Sequence, residues 1–169
     1  MPALVCHPQT PSEAVQGIVV AATRAAGGLL ALSYSIRGDL SRFVVPARRR
    51  PAVGERLWQH TCCEAFLTHA PGAAYREFNF SPSGEWAAYA FERYREGGAL
   101  SVPDPRIEVR STSDALELRA RIEPASGKTV AALCAVIEEV GGRLSYWALR
   151  HPPGKPDFHH PEAFALEID

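Results

Sequence analysis

The common motifs of enzymes and membrane proteins are missing from this chain of 169 residues. It contains no P-loop, GxGxxG, GxSxG or HExxH pattern, so the sequence indicates no nucleotide site, serine nucleophile or zinc-protease centre. No segment approaches the roughly 18 apolar residues that a membrane-spanning helix requires. The formal net charge of −1 and the pI of about 6.6 argue against a general binder of nucleic acid or anionic membranes. We therefore expect no nucleic acid and no membrane as partners.

Cysteine and methionine are also scarce. The four cysteines, Cys6, Cys62, Cys63 and Cys134, have no CxxC spacing, and neighbouring residues of a strand point to opposite faces. The first residues show no basic segment followed by an apolar stretch, which predicts the absence of a secretory signal. We therefore expect buried free thiols in a cytoplasmic protein rather than a disulfide framework.

The sequence does contain short apolar segments with frequent breaks between them. Its 14 prolines and 13 glycines recur about every ten residues, the spacing of short strands joined by turns. No internal repeat or low-complexity linker divides the chain, so residues 1–169 are predicted to form one domain. The predicted strands are Gln16–Thr23, Leu29–Ile36, Arg42–Val45, Leu57–Leu67, Ala74–Phe80, Trp86–Tyr94, Arg106–Ser111, Ala115–Ile122, Leu133–Val140, Arg143–His151 and Phe164–Ile168.

Two segments fit a helix as well as a strand. Ser12–Ala26 is rich in alanine and begins with a residue that caps helices. Apolar residues between Val130 and Ile137 match a helical i, i+3, i+4, i+7 stripe, but the Gly141–Gly142 pair and the apolar segment after it complete a hairpin. The second segment therefore favours a strand. The predicted fold is all-β, an antiparallel sandwich of two sheets that a single short helix would leave intact.

The most informative segment is the strand–turn–strand pattern of Tyr75–Tyr94, in which two aromatic, period-two runs flank a Ser-Pro-Ser-Gly turn. Phe78 and Phe80 are natural core residues. Alternation along the strand then leaves Glu77 and Asn79 on the opposite face. These two polar side chains are candidate ligand contacts.

A second polar face is predicted in Leu57–Leu67, where alternation groups Trp58 with Glu64. A buried and unpaired Glu64 would be costly, so this carboxyl is either the partner of an arginine such as Arg76 or a ligand contact. With Glu77 on a neighbouring strand it could in principle hydrolyse a glycoside. The sequence does not give the separation of the two carboxyls, and we expect no catalytic residue.

Trp58, Trp86 and Trp147 have two interpretations. Large indoles most often pack in the interior. Alternatively, they offer flat platforms for a sugar ring, with the indole N–H free to donate.

The proline-rich segment His151–Pro161 contains three histidines. Its histidines and Asp157 are candidate ligands for a divalent metal. The segment can also be a stiff loop that fixes the last strand through backbone hydrogen bonds. A third interpretation puts it at the rim of a binding face, where Lys155, Asp157 or His159 reaches a ligand.

Five segments carry a family resemblance: Leu57–Cys62, Glu64–Leu67, Arg76–Tyr89, Leu144–Leu149 and Pro156–Pro161. In these segments the chain resembles the bacterial DOMON-like proteins, which are relatives of the DOMON domains and of family-9 carbohydrate-binding modules. The resemblance implies an immunoglobulin- or jelly-roll-like sandwich of about ten strands, in a superfamily that binds haem or sugars. The haem-binding branch uses a methionine and a histidine as axial ligands, whereas Met1 is the only methionine of this chain.

These observations favour a non-catalytic domain that binds a small molecule, most plausibly a carbohydrate, without a cofactor. One alternative is a haem or metal protein that uses His60, His151, His159 or His160, and another is an interaction module without a pocket. The sequence does not indicate an oligomeric state. The predicted ligand-binding residues are Trp58, Glu64, Arg76, Glu77, Asn79, Trp86, Trp147 and His159.

Overall fold

A computed structural model describes residues 1–124 and 126–169 and consists of antiparallel strands joined by turns. Within these residues there is no α-helix, only 3₁₀ turns at Ala26–Gly28, Leu40–Arg42, Leu57–Gln59 and Pro161–Ala163. None of these turns could cross a lipid bilayer. The described residues form 12 strands: β1 (Ala3–Cys6), β2 (Val15–Arg24), β3 (Leu30–Gly38), β4 (Cys62–Thr68), β5 (Tyr75–Phe80), β6 (Trp86–Arg93), β7 (Glu96–Ala99), β8 (Glu108–Ser111), β9 (Ala115–Ile122), β10 (Thr129–Glu138), β11 (Leu144–Ala148) and β12 (Leu166–Ile168).

The strands form two layers that share one strand. The first sheet has the order β1-β2-β3-β9-β8, and the second has the order β7-β6-β5-β4-β10-β11-β1, with β12 beside β10. Strand β1 pairs with both sheets, because Leu4 lies opposite Ile18 of β2 while Val5 lies opposite Ala148 of β11. The predicted all-β, antiparallel sandwich is therefore confirmed, and β1 joins its two layers at one edge.

The core between the layers follows period-two alternation. Strands β3 and β9 bury every second residue, so the first sheet has one buried and one more exposed face. Phe78 and Phe80 are 2% and 1% exposed and fill the core from the second sheet, as predicted. The Tyr34 hydroxyl of β3 donates a hydrogen bond of 2.7 Å to the Glu64 carbonyl oxygen of β4. This bond links the layers through their interior.

The second sheet is buried on both faces. Its outer face packs against the segment before β12, where Phe158 and Phe164 join Phe66 and Tyr75 in a second apolar cluster. Strand β10, at the centre of this sheet, is consequently buried at nearly every position. A continuous apolar run has no period, which explains why its sequence also fits a helix. Ser12–Ala26, the other ambiguous segment, contains strand β2.

Several predicted boundaries were wrong because local geometry overrides the apolar pattern. Strand β4 begins only at Cys62, since Arg56 adopts a left-handed φ of 52° and starts the 3₁₀ turn Leu57–Gln59. The segment Arg42–Val45 forms an isolated bridge through Phe43 instead of a strand. Strands β1 and β7 were not predicted.

Strand β7 was not predicted because it is an exposed, glycine-rich edge strand without an apolar pattern. Glycine normally weakens a strand, but a Cβ on Gly97 would lie 1.9 Å from the Ala90 carbonyl oxygen of β6. Only glycine allows this close approach of the two backbones.

Tyr34→Phe should lower the free energy of unfolding by about 1 kcal/mol, because it removes a buried hydrogen bond between the layers while keeping the ring. Urea denaturation measures the change. Ser41→Ala is the matched control, since it also deletes one hydroxyl hydrogen bond, but an exposed one to Asp39, and it should change stability little. Equal effects of the two substitutions would contradict the assigned role of Tyr34.

Candidate binding cavity

A cavity of about 340 Å³ opens on the outer face of the second sheet. Strands β4, β5 and β6 form its floor, and the segment Pro156–His159 and the β6–β7 turn form parts of its wall. Alternation along the three strands sends Glu64, Glu77 and Tyr89 to this face while their sequence neighbours face the core. Volumes of roughly 300–1,000 Å³ are typical of small-molecule sites, so the cavity suits a small ligand.

The floor of the cavity is acidic. Glu64 lies directly opposite Asn79 in the pairing of β4 and β5, and Glu77 lies two positions further along, opposite Phe66. Glu64 and Glu77 are therefore diagonal neighbours on one face, within reach of each other. They are only 2% and 6% exposed, a rare condition for carboxyl groups.

Burial raises the pKa of Glu64 well above its usual value, and the charge of Glu77 raises it further. Burial also raises the pKa of Glu77, from 4.5 to about 7, although the nearby Asn79 amide and Arg95 guanidinium oppose the rise. The Asn79 amide approaches Glu77 without reaching the geometry of a hydrogen bond. Both carboxyls therefore hold their protons to a higher pH than a solvated glutamate does, and Glu77 is partly ionised near pH 7.

Polar atoms of the floor have no partner within the part of the chain that the structure describes. Oε1 of Glu64 and both polar atoms of the Asn79 amide are buried and make no hydrogen bond there. Buried polar groups are almost always paired, because an unpaired one costs about 1–3 kcal/mol. Because Glu64 lines the cavity, its carboxyl is the group that a polar ligand meets, and the fully buried Asn79 amide lies beside it on the same sheet face.

His159 lies on the wall beside the carboxyls. Its Nε2 is 3.6 Å from Oε2 of Glu77, and its Nδ1 is 2.7 Å from the Tyr75 hydroxyl. That hydroxyl accepts the backbone N–H of Arg95, so the consistent arrangement has Tyr75 donating to Nδ1 and the Nε2–H facing Glu77. Burial lowers the pKa of His159 to about 4, with a further contribution from Arg95. The imidazole is consequently neutral near pH 7 and does not neutralise Glu77.

Arg95 and Asp157 connect the β6–β7 turn to the C-terminal segment. The guanidinium of Arg95 donates to Asp157 at 3.0 Å, and Tyr94 also donates to this carboxylate. Burial alone would raise the pKa of Asp157, but the Tyr94 hydrogen bond and the charge of Arg95 outweigh it, so the pKa is lowered. Arg95 itself has a left-handed φ of 56°, and strained residues of this kind cluster at functional sites.

Aromatic rings form most of the remaining surface. Trp58 contacts Tyr89 edge-to-face at a centroid distance of 6.0 Å and stays 40% exposed at the mouth of the cavity. The other aromatic residues that line the cavity are Phe66, Phe91, Tyr146 and Phe158. Apolar walls above a polar floor are the usual composition of a ligand site.

The structure brings five of the eight predicted ligand-binding residues together. Trp58, Glu64, Glu77 and His159 line the cavity, and Asn79 lies beside Glu64 on the same sheet face, fully buried and outside the lining.

The other three predicted residues lie elsewhere. Trp86 and Trp147 belong to the core between the sheets, where the indole N–H of Trp147 donates to Ser145. Arg76 points to the opposite face of β5 from Glu77 and lines different cavities, so it is not the partner of Glu64.

Sequence reasoning missed Tyr89 and Arg95. A signal for Tyr89 existed, because the tight turn after Phe80 pairs Glu77 with Tyr89, which puts both on one face. Arg95 had no such signal, since its position follows from the fold of the β6–β7 turn.

The histidines considered for a haem or metal do not converge on the cavity. Among the described residues His159 lines it, with Nδ1 hydrogen-bonded to the Tyr75 hydroxyl. His60, His151 and His160 are hydrogen-bonded to Glu138, the Val5 carbonyl and the Glu162 N–H. Nor do residues 1–124 and 126–169 contain a cluster of three or more His, Cys, Asp or Glu side chains arranged around a metal position.

A wider groove of about 740 Å³ lies along the edge strand β7. Small residues such as Ala74, Gly97 and Gly98 form much of it. Its buried polar residues, Thr68 and Thr129, already donate hydrogen bonds to backbone carbonyls, whereas Oε1 of Glu64 is unpaired in the described residues, so we regard the first cavity as the candidate site.

Comparisons with known proteins support the fold. No family model matches the chain, and no curated protein matches it significantly. The structure resembles the 2.70 Å crystal structure of a "putative carbohydrate-binding protein" from Bacteroides uniformis ATCC 8492, with a TM-score of 0.69 and 14% identity over 100% of this chain and 85% of that chain. At this identity the likeness concerns the sandwich fold, and the resemblance to DOMON-like proteins stays a prediction.

Glu77→Gln should become progressively more stable than the wild type as the pH rises from 5 to 8. The pKa of Glu77 is raised from 4.5 to about 7 in the folded protein. Between these values the folded state holds a proton that the unfolded state has released, so the wild type loses stability as pH rises. The difference in the free energy of unfolding should grow by about 2 kcal/mol, measured by urea denaturation at each pH.

The stability of the wild type alone would also reflect the titration of His159, so the quantity to measure is the difference between the wild type and Glu77→Gln. The pKa of His159 is lowered to about 4, so its contribution to stability is lost as the pH falls from about 6.5 towards 4, opposite to the effect of Glu77. Glu92→Gln removes an exposed carboxyl and serves as the control, with a difference that stays constant. A constant difference for Glu77→Gln would show that this carboxyl titrates normally.

Proposed function

We propose that this protein is a non-catalytic carbohydrate-binding domain that holds a small sugar in the cavity above Glu64 and Glu77. One observation carries the proposal: the buried Glu64, whose Oε1 is unpaired in the described residues, lines an aromatic cavity, and the unpaired Asn79 amide lies beside it on the same sheet face. Sugar hydroxyls donate and accept hydrogen bonds, so they can satisfy a carboxyl and an amide together.

The walls complement the apolar faces of a sugar ring. Trp58 and Tyr89 present aromatic surface at the mouth, where a ring can pack while its hydroxyls point to the floor. In this arrangement Glu64, Glu77, Asn79 and His159 set the orientation of the ligand. Trp86 and Trp147 contribute to the core that supports the sheet. The volume of about 340 Å³ favours a small sugar over a polymer chain.

The structural neighbour from Bacteroides uniformis supports the same function, since its description refers to carbohydrate binding. The fold alone does not assign an activity. The support is therefore the combination of that neighbour with the chemistry of the cavity.

The proposal assigns both carboxyls to binding. Glu64 and Glu77 project from adjacent strands on the same sheet face, where each can accept or donate a hydrogen bond to a sugar hydroxyl. We expect a bound glycoside to be recovered unchanged after prolonged incubation.

Trp58→Ala should weaken binding of the best monosaccharide or disaccharide at least tenfold, because it removes the aromatic wall at the mouth. The measurement is isothermal titration calorimetry, after a screen of neutral and charged sugars by thermal shift. Since Trp58 is 40% exposed, the variant should keep its melting temperature nearly unchanged.

Trp147→Phe is the matched control. It also removes an indole, but from the core, where Trp147 is 6% exposed. It should cost about 2 kcal/mol of stability and leave the dissociation constant unchanged. The proposal fails if no sugar gives a saturable response with the wild type, or if the two variants weaken binding equally.

A further inference from the structure

We infer that the cavity selects ligands that carry an ammonium group, so that an amino sugar binds in preference to its neutral counterpart. This inference rests on the proposed function and names its ligand class. It follows from the charge balance around the two carboxyls, from the aromatic walls above them and from the unpaired oxygen of Glu64.

The two carboxyls of the floor lack a cationic partner. In the described residues Glu64 takes part in no ion pair, and the neighbour of Glu77 is the imidazole of His159, at 3.6 Å. The Arg95 guanidinium lines the cavity and its charge opposes the rise of the Glu77 pKa, but its hydrogen bonds go to Asp157, at 3.0 Å, and to the Tyr94 hydroxyl. The cavity is therefore lined by two acid groups, while the cation of Arg95 is paired with Asp157 in the wall.

The aromatic lining suits a cation as well as a sugar ring. Trp58, Tyr89 and Phe91 present rings around the same space, and the faces of such rings attract a positive charge within about 6 Å. An ammonium group between these rings and the carboxyls would gain from both. A neutral hydroxyl at the same place would gain only hydrogen bonds.

The buried position of Glu64 favours a cationic ligand over a neutral one. Oε1 of Glu64 is buried and unpaired in the described residues, and burial disfavours the charged form of a carboxyl that has no counterion. An ammonium group supplies that counterion and favours ionisation. Binding of an amine should therefore release protons from the floor, whereas binding of a neutral sugar should not.

Other titratable groups around the floor do not change this expectation. His159 is already neutral near pH 7, since burial lowers its pKa to about 4, and Asp157 is ionised with its lowered pKa. The remaining groups keep their protons near pH 7 because burial raises the pKa of each: Tyr75, Tyr89, Tyr146, Cys62 and Cys134. The protons released on binding should come from Glu64 and Glu77.

The test compares D-glucosamine with D-glucose, which differ by an ammonium group in place of one hydroxyl. Calorimetric titrations at pH 6.5, in two buffers of different ionisation enthalpy that contain no primary amine, give both affinity and proton release. We expect glucosamine to bind at least tenfold more tightly and to release protons, while glucose releases none.

Glu64→Gln and Glu77→Gln keep the shape of each side chain but remove its ionisation. Each variant should reduce the preference for glucosamine to within about twofold of glucose, because the charge contribution is lost. Glu92→Gln, at an exposed position of β6, should keep the full preference. Thermal denaturation verifies that each variant is folded, and if one is not, the other carries the test.

The outcomes separate this inference from the proposed function. Equal affinities for the two sugars, without proton release, would overturn the inference and leave sugar binding intact. Binding of choline, used as a probe without a sugar ring, in the absence of any sugar response would overturn the proposed function and support ammonium recognition. A response to none of the three compounds would overturn both.

Discussion

Packing of the segment Pro156–Phe164 against the outer face of the second sheet determines the chemistry of the candidate site. An antiparallel sheet commonly leaves one face in water, but here Phe158 and Phe164 cover this face beside Phe66 and Tyr75. Water is thereby excluded from around groups that a solvated sheet would hydrate. The cavity is the part of this covered face that side chains do not fill.

The consequence is electrostatic. Two carboxyls enter a poorly hydrated space, where charge is costly without a partner, and among the described residues no lysine or arginine forms an ion pair with either of them. The network of Tyr75, His159, Arg95 and Asp157 satisfies its own polar groups and holds the wall in place. Buried carboxyls without an ion-pair partner, beside a wall whose polar groups are hydrogen-bonded to one another, are typical of a ligand site. Natural proteins leave buried polar groups unpaired mainly where function requires it.

The regular alternation of apolar and polar residues allowed the fold class to be predicted from the sequence. Strands β3, β5 and β9 follow the apolar pattern closely, and the opposite placement of Phe78 and Glu77 was predicted from it. Prediction failed where backbone conformation or an edge position overrides the pattern, as at Leu57–Gln59 and in the exposed β7. The helix-like appearance of β10 has the same origin as the acidic cavity, because both result from burial of the second sheet on two sides.

The order of side chains along each strand is local information, and it established the all-β class and the face on which Glu64, Glu77 and Asn79 lie. Which face would be covered, and by what, depended on contacts between residues far apart, such as Tyr75 with His159 and Arg95 with Asp157. The same long-range packing assigned Trp58 to the cavity and Trp86 and Trp147 to the core. The burial of a side chain depends on how the layers pack together, so it cannot be read from the sequence of one strand.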